Sequence, residues 1–338
     1  MNRRTTIAAI LALSIAPALA QSAVPVTPHN FVRAETDMYM GRFAKDGGLG
    51  KFVHAREPAP IDKQSVIRMN RDTVYSSGVF DLDAGPVTIA MPNPGKRFMS
   101  LQVIDEDQYT PDVFYGARSH TFTREGVGTR YLVLLVRTLI DPNDPGDIKQ
   151  VHELQDRIGI QQASPGKFEV PDWDEASQKK VRDGLLLMAS TMKDFKGAFG
   201  AKNKVDPINR LMGSAAGWGG NPDKDATYIG YTPAKNDGAT IYKLDVRNDV
   251  PVDGFWSVSV YNAQGFFEKN AHNAYTLNNI TAKREADGSV AIQFGGCDGK
   301  TPNCLPIVKG WNYIVRLYRP REAILNGSWK FPEPQATN

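Results

Sequence analysis

Alternating hydrophobic and polar positions predict short strands over the first part of the chain, residues 30–140. A short helix precedes them, because Phe31, Ala34 and Met38 fall on one helical face and Gly47-Gly48 ends the pattern. Turn residues between the later segments supply the reversals that antiparallel strands need. The last segment is a continuous apolar run, which is typical of a strand buried on both faces. The predicted strands cover residues 74–82, 86–92, 98–105 and 131–140.

Helical spacing replaces the strand pattern in the middle part, residues 141–217. A first helix is predicted to begin at Asp144, because a proline follows it at the first helical position. A second helix is predicted to begin at Asp172, with Glu175 three positions later completing a capping box. It is expected to end at Gly200. Its apolar stripe, which we expect to pack on a neighbouring element, contains Val181, Leu185, Met188, Met192, Phe195 and Phe199.

Strand patterns return in the third part, residues 221–332. In FWSVSVY (255–261) and WNYIVRLY (311–318), alternating side chains predict half-buried antiparallel strands. In the first of them, one face carries Trp256, Val258 and Val260, and the other carries Ser257, Ser259 and Tyr261.

Short strands separated by frequent turns favour sandwiches and barrels. The predicted fold class is therefore mainly β with an α connector (α+β). It comprises an N-terminal antiparallel β domain over 30–140 and a C-terminal one over 221–332, each sandwich-like or barrel-like. Residues 141–217 are predicted to join them as a helical connector.

The first 20 residues form a predicted signal peptide. Arg3 and Arg4 precede an apolar run, and Ala18-Leu19-Ala20 provides a small-x-small cleavage sequence. Cleavage after Ala20 would release the protein into the periplasm or the medium, and no later segment is long and apolar enough to span a bilayer. Most of the +3 net charge belongs to this segment, so the rest of the chain is nearly neutral. This charge balance argues against a nucleic-acid partner.

Cys297 and Cys304 lie seven positions apart in a loop rich in glycine and proline. In an oxidising compartment they are expected to form a disulfide bond. A metal site is the alternative, but two thiols without a nearby histidine pair are a poor ligand set. The sequence also lacks a phosphate-binding glycine loop and a G-x-S-x-G elbow, so no metal or cofactor is predicted.

Polar residues beside aromatic residues are the candidate binding groups. Amides give fixed hydrogen bonds and rings stack, so such clusters suit a sugar or another polar small molecule. Asparagine is also a common turn residue, which is the alternative interpretation. The candidate ligand-binding residues are Asn70, Arg71, Tyr75, Trp218, Asn221, Asn270, His272 and Tyr275.

Three carboxylates are candidate catalytic residues. Asp72 directly precedes a predicted strand, Asp105 lies in an acidic loop, and Glu268 lies in an asparagine-rich segment. Two such groups together could act as general acid and base, or could hold a metal ion. The alternatives are a structural pair between Arg71 and Asp72 and a solvated acidic loop. Spacing alone does not distinguish these roles.

The chain resembles a bacterial tandem family, the domain of unknown function 1254 followed by the domain of unknown function 1214. The first is carried by NRDTVYSSGVFDLDAGPVTI and SLQVIDEDQYTPDVFYG, and the second by GWGGNPDKDATYIGYTPAKNDG and VPVDGFWSVSVYNAQGFFEKNAHNAYTLNN. The resemblance implies two β domains joined by helices, often in an exported protein, and it assigns no catalytic residue. The residues that match the family pattern are Asn70, Arg71, Asp72, Tyr75, Trp218, Asn221, Glu268, Asn270 and Tyr275.

Three functions are open at the level of sequence. The leading hypothesis is an exported protein that binds a polar small molecule, such as a carbohydrate, in a cleft between the two β domains. The first alternative is a carboxylate- or metal-dependent hydrolase that uses Asp72, Asp105 or Glu268. The second is an envelope scaffold whose β domains pair with partners. A homo-oligomer is compatible with the sequence.

Overall fold

The computed structural model describes residues 23–64 and 67–337. The predicted signal peptide, residues 1–20, lies outside the described residues. The first part begins with helix α1 (Phe31–Phe43), and Gly47 ends it with a positive φ of 91°. The elements that follow are β1 (Val53–His54), β2 (Thr73–Asp81), β3 (Val87–Ala90), β4 (Met99–Asp105), β5 (Val113–Tyr115), β6 (Ser119–Phe122), α2 (Arg124–Val127) and β7 (Tyr131–Leu139).

The strands of the first part form two antiparallel sheets. One has the order β1-β2-β7-β4-β5. The other has the order β6-β3-β8, in which β8 (Gly159–Gln161) comes from the middle part of the chain. The segment predicted as a helical connector therefore also contributes a strand.

Strand β7 is buried along its whole length, as its apolar run predicts. Leu132, Leu134 and Val136 pack with Val87 and Ile89 of β3 on one face of the sheet. On the opposite face, alternate residues of β7 pack with helix α1. The side chains of that second cluster include Met40, Val133 and Leu135.

The middle part contains α3 (Pro145–Asp156), α4 (Glu175–Ala189) and α5 (Pro207–Gly217). The predicted start of α3 is confirmed, because the Asp144 side chain accepts a hydrogen bond from the amide of Gly146. For α4 the predicted bounds are wrong, since the N-cap is Asp174 and the helix ends at Ala189.

Two local features explain the bounds of α4. Asp172 lies before the helix, where its carbonyl accepts a hydrogen bond from the amide of Val24. At the other end, the hydroxyls of Ser190 and Thr191 donate to the carbonyls of Leu187 and Met188. These side chains satisfy carbonyls at the helix end and so favour its termination.

The elements of the third part are β9 (Ala226–Tyr231), β10 (Tyr242–Val246), β11 (Trp256–Tyr261), β12 (Thr276–Asn278), β13 (Val290–Phe294), β14 (Cys304–Leu305), β15 (Asn312–Tyr318), α6 (Glu322–Leu325) and β16 (Gln335–Ala336). The strands form two further sheets, with the orders β12-β11-β15-β9 and β14-β13-β10-β16. Residues of both sheets share one apolar cluster, in which Val258 and Val315 meet Leu244 and Ile292.

The polar face of β11 and β15 departs from the prediction of half-buried strands. Every residue of β11 is buried, including Ser257 and Ser259, and Arg316 of β15 is only 3% exposed. The reason is long-range packing. The segment that leads into β2 lies against this face, and the carbonyl of Arg68 accepts a hydrogen bond from Arg316.

The predicted mainly β class is confirmed, with helices between the two groups of sheets. Among the described residues, none of the four sheets closes into a barrel. In the part of the chain that the structure describes, no helix is long and apolar enough to cross a membrane.

Candidate functional site

Three neighbouring strands of the first sheet carry a row of polar side chains. Tyr75 of β2 lies opposite Arg137 of β7, which lies opposite Ser100 of β4. Because side chains alternate along a strand, this row points away from the face that packs on β3. Arg137 is 5% exposed, so the row places a cation inside the protein.

The guanidinium of Arg137 has neutral partners. It donates to the side-chain carbonyl oxygens of Gln102 and Asn221, the latter at 3.3 Å, and to the carbonyl of Gly219 at 2.9 Å. Its Cζ lies 5.5 Å from the centre of the Tyr75 ring. No aspartate or glutamate among the described residues forms an ion pair with it.

Two asparagines donate hydrogen bonds to three tyrosine hydroxyls near this arginine, and one of them, Asn221, also accepts from Arg137. Asn70 Nδ2 donates to the hydroxyls of Tyr75, at 3.3 Å, and Tyr318, at 3.0 Å. Asn221 Nδ2 donates to the hydroxyl of Tyr228 at 3.0 Å. Tyr228 is 41% exposed, and Asn70 and Tyr75 are half-buried, so the cluster reaches solvent on this side. We call it the Arg137 site: Asn70, Tyr75, Arg137, Asn221, Tyr228 and Tyr318.

The tyrosines of the Arg137 site differ in acidity. Burial raises the pKa of Tyr75, but the charge of Arg137 and hydrogen bonds from Thr73 and Asn70 outweigh it, so the pKa lies below its usual value. For Tyr318 burial dominates, and the nearby Tyr228 and Tyr75 add to it, so its pKa lies well above the usual value. The pKa values of the two phenols are therefore shifted in opposite directions.

A second buried network lies beside the Arg137 site. Asp72 is 1% exposed, and its Oδ1 accepts hydrogen bonds from Thr276 Oγ1 at 3.0 Å and Asn278 Nδ2 at 3.1 Å. Its Oδ2 has no partner among the described residues. Arg316 donates to Ser259 Oγ at 2.8 Å, and the Ser259 and Thr276 hydroxyls are 2.9 Å apart. A chain of hydrogen bonds therefore runs from guanidinium to carboxylate, and we call it the Asp72–Arg316 network.

The remaining predicted residues of the first motif lie outside the Arg137 site. Arg71 donates to the carbonyl of Ala59, and its Cζ lies 5.3 Å from the centre of the Tyr275 ring. Burial lowers the pKa of Arg71. The alternative prediction of a structural pair between Arg71 and Asp72 is therefore wrong. Arg71 packs on an aromatic ring instead.

Asn270 forms the turn on which it lies. Its Oδ1 accepts from the amide of His272 at 3.1 Å, and its Nδ2 donates to the carbonyl of Ala274 at 2.9 Å. These contacts fit the interpretation of asparagine as a turn residue. Asn270 and Tyr275 border a cavity of about 10 Å³, which has room for about one water molecule.

His272 lies in a separate open cleft of about 400 Å³. The predicted disulfide, Cys297–Cys304, forms part of its wall, with a Cα–Cα distance of 5.6 Å. Asn303 joins its two sides, because its side chain accepts from the amide of Lys283 at 2.8 Å and donates to the Lys283 carbonyl at 2.7 Å. We call it the disulfide cleft: His272, Ala274, Leu277, Thr281, Lys283, Cys297, Gly299, Thr301, Pro302, Asn303 and Cys304.

Trp218 packs on helix α1 and does not reach the Arg137 site. Its ring stacks on Tyr39 at 4.5 Å, and its Nε1 donates to Thr36 Oγ1 at 3.1 Å. The residues of this segment that approach Arg137 are Gly219 and Asn221, which follow Trp218 in the sequence. At Gly220 a Cβ atom would lie 2.3 Å from the Phe199 ring, so only glycine fits this close approach.

The three candidate catalytic carboxylates do not converge. Asp105 of β4 is the strand partner of Leu132, at one end of β7. The backbone carbonyl of Asp72 accepts a hydrogen bond from the amide of Ile140, just beyond the other end of β7. Eight residues of extended chain separate those positions, or about 26 Å. Glu268 is exposed. The described residues contain no cluster of three or more metal-ligating side chains.

Asp105 is a turn residue of the acidic loop. Its Oδ1 accepts hydrogen bonds from the amides of Asp107 at 2.9 Å and Tyr109 at 2.8 Å. Burial raises the pKa of Asp105 to about 6. These contacts give it a structural role at the end of β4.

The sequence motifs missed Arg137, Tyr318 and Arg316. The sequence contains one indication that Arg137 is unusual, because it is the only charged residue within the apolar run 131–140. A charged residue within a fully buried strand is rare unless it is paired or functional. The sequence gave less indication of Tyr318 and Arg316, because the alternation in 311–318 predicted that they lie on the solvent-facing side of a half-buried strand.

Comparisons with known proteins agree with this fold. Residues 49–126 match the family model described as "Protein of unknown function (DUF1254)", and residues 227–322 match "Protein of unknown function (DUF1214)". No curated protein matches the chain.

Two solved structures share the fold. The VPA0106 protein from Vibrio parahaemolyticus is 18% identical with a TM-score of 0.68, over 91% of this chain and 98% of that one. An uncharacterized protein from Burkholderia cenocepacia is 12% identical with a TM-score of 0.50, over 91% of this chain and 86% of that one. The order of the two matched regions is that of the resemblance, and the chain belongs to the tandem family of domains of unknown function 1254 and 1214.

Proposed function

We propose that the protein binds a small, negatively charged polar molecule at the Arg137 site. One observation carries the proposal, which is that Arg137 is a buried cation with neutral partners. A buried charge is costly unless an opposite charge compensates it. A ligand carboxylate can supply that charge, because a guanidinium binds carboxylates through paired hydrogen bonds.

The other groups of the Arg137 site favour a carbohydrate acid or a similar hydroxy acid. Hydroxyl groups of Tyr75 and Tyr228 and the amides of Asn70 and Asn221 can exchange hydrogen bonds with ligand hydroxyls. Asn70 and Tyr75 come from the first part of the chain and Tyr228 from the third. The site therefore supports the hypothesis of binding between the two β regions.

Titration calorimetry of the mature protein against sugar acids, organic acids and neutral sugars tests this proposal. We expect binding by acids only. Arg137→Lys should weaken it about tenfold or more, because lysine cannot form the paired hydrogen bonds. Tyr228→Phe should weaken it severalfold through the loss of one hydroxyl. Tyr231→Phe is the matched control, because Tyr231 lies on the same strand but packs in the apolar core of the third part.

Two outcomes would overturn the proposal. The first is that no acid binds to protein that is folded by circular dichroism. The second is that an acid binds equally well to Arg137→Lys but not to Lys283→Met. That result would place the ligand in the disulfide cleft, whose lining includes His272 and Lys283 and no carboxylate.

The hydrolase alternative has less support, because Asp72 and Asp105 lie at opposite ends of β7. A scaffold would be expected to have a large exposed apolar surface. Among the described residues few large apolar side chains are exposed, and the most exposed of them, Leu187 and Ile208, lie on the helices between the sheets.

We further propose that the protein is exported to the periplasm or the medium. The disulfide bond supports this location, because such bonds persist in oxidising compartments. Mass spectrometry of the protein from the periplasmic fraction should give an N-terminus at Gln21. A full-length chain that stays in the cytoplasm would contradict the proposal.

A further inference from the structure

We propose that the Arg137 site catalyses β-elimination on its carboxylate ligand, with Tyr75 as the proton acceptor and Tyr318 as the proton donor. This inference rests on the proposed function, because Arg137 has to hold the carboxylate. The substrate class is a uronic acid with an oxygen substituent on the carbon β to its carboxyl group, as in polyuronates.

The geometry places the hydroxyls of two phenols within hydrogen-bonding distance of one amide nitrogen. The hydroxyls of Tyr75 and Tyr318 both accept a hydrogen bond from Asn70 Nδ2, at 3.3 and 3.0 Å. Tyr75 belongs to the first sheet and Tyr318 to the third part, so rigid strands hold both. Two groups this close can act on neighbouring carbons of one substrate.

The acidities of the two phenols match these roles. An acid–base pair is recognised by environments that push two pKa values apart. Arg137 and the donated hydrogen bonds lower the pKa of Tyr75, whereas burial keeps the pKa of Tyr318 high. Of the two phenols, Tyr75 is therefore the one that gives up its own proton to solvent more easily and can then accept the substrate proton, whereas Tyr318 is the proton donor.

The reaction balances without a further reactant. The Tyr75 phenolate takes the hydrogen from the carbon α to the carboxyl group as a proton. The electron pair of that C–H bond forms the C=C bond between the α and β carbons, and the C–O bond at the β carbon breaks. The departing oxygen takes the proton of Tyr318. Solvent then removes the proton from Tyr75 and returns one to Tyr318.

Arg137 would stabilise the charge that builds up on the carboxylate when the α-proton leaves. Its buried guanidinium is already fixed by Gln102, Asn221 and Gly219, so it need not reorganise during the reaction. Asn70 would act as a positioning residue, because it holds both hydroxyls.

The test incubates the mature protein with polygalacturonate, alginate and their short oligomers. We expect an unsaturated product, seen by the ultraviolet absorbance of its conjugated double bond. Tyr75→Phe should lower kcat about 10²- to 10⁴-fold, the usual contribution of a general base. Its binding of the same oligomers, measured by calorimetry, should change only severalfold. Tyr231→Phe, outside the site, should keep the wild-type rate.

Two readouts separate chemistry from a structural role. In deuterium oxide, Tyr318→Phe should still exchange the α-hydrogen of the bound substrate, whereas Tyr75→Phe should not. A substrate with a nitrophenolate leaving group should restore elimination by Tyr318→Phe, because that group departs without a proton.

Binding of the oligomers by the wild type without any unsaturated product or α-hydrogen exchange would overturn this inference and leave the proposed function standing. A wild-type rate in Tyr75→Phe would overturn it too. Absence of binding itself would overturn both.

Discussion

Replacing Arg316 with methionine is expected to destabilise the fold by about 3–5 kcal/mol. The substitution keeps an unbranched side chain in place of the aliphatic part of arginine but removes the cation of the Asp72–Arg316 network. Asp72 would then be a buried carboxylate with no cation at the end of its hydrogen-bond chain, and the Arg68 carbonyl would lose its donor. Urea unfolding followed by tryptophan fluorescence measures the change.

A matched control and a double variant decide whether charge is the cause. Arg247→Met should cost less than about 1 kcal/mol, because that side chain is 80% exposed and pairs with Asp249 in solvent. Adding Asp72→Asn to Arg316→Met should recover part of the lost stability, since no unpaired charge then remains. If the stability losses of the two single variants simply add in the double variant, Asp72 and Arg316 are not energetically linked.

The Asp72–Arg316 network also joins the two halves of the chain. Asp72 precedes β2, whereas Thr276, Asn278 and Arg316 lie on β12 and β15. Polar contacts of this kind fix how two surfaces meet more than they add stability. Such precision is what the Arg137 site needs, because its tyrosines come from both halves.

Local sequence patterns predicted most of the strands but not what covers them. The apolar run of β7 and the cap at Asp144 are local signals, and the structure confirms both. The alternation in β11 was correct as a pattern, but its polar side is buried. That outcome depends on residues near position 70, almost two hundred positions away, and periodicity within a strand carries no information about them.

The candidate site was predicted in part for the same reason. Asn70, Tyr75 and Asn221 were expected to bind a ligand, and the structure brings them together around Arg137. Asn270 and His272 lie elsewhere, because asparagine in a turn and asparagine in a site have the same sequence signature. Trp218 lies near the site in sequence, yet its large ring packs on α1.

Acidification from neutral pH is expected to stabilise the protein through Asp37. This carboxyl group is 2% exposed; its Oδ2 accepts from Trp173 Nε1 at 2.9 Å, and its Oδ1 has no partner among the described residues. Burial is the main cause that raises its pKa from 3.8 to about 6; the nearby Glu106 and Asp107 act in the same direction, and the Trp173 hydrogen bond and Arg33 oppose them.

The raised pKa of Asp37 determines how the stability of the protein changes with pH. The folded state holds the Asp37 proton more tightly than the unfolded chain, so its contribution to stability is full below about pH 4. It is lost as the pH rises through about 6, and the loss by pH 7 is about 3 kcal/mol. Asp105 contributes with the same sign, since burial also raises its pKa to about 6.

Urea unfolding at pH 5 and pH 7 tests this expectation with two variants. Asp37→Asn should flatten the pH dependence and should gain stability relative to the wild type at pH 7, because the amide has no charge to bury. Trp173→Phe should move the dependence to higher pH, since it removes a hydrogen bond that favours the ionised carboxylate. An Asp37→Asn variant with the full pH dependence of the wild type would show that other carboxyl groups are responsible.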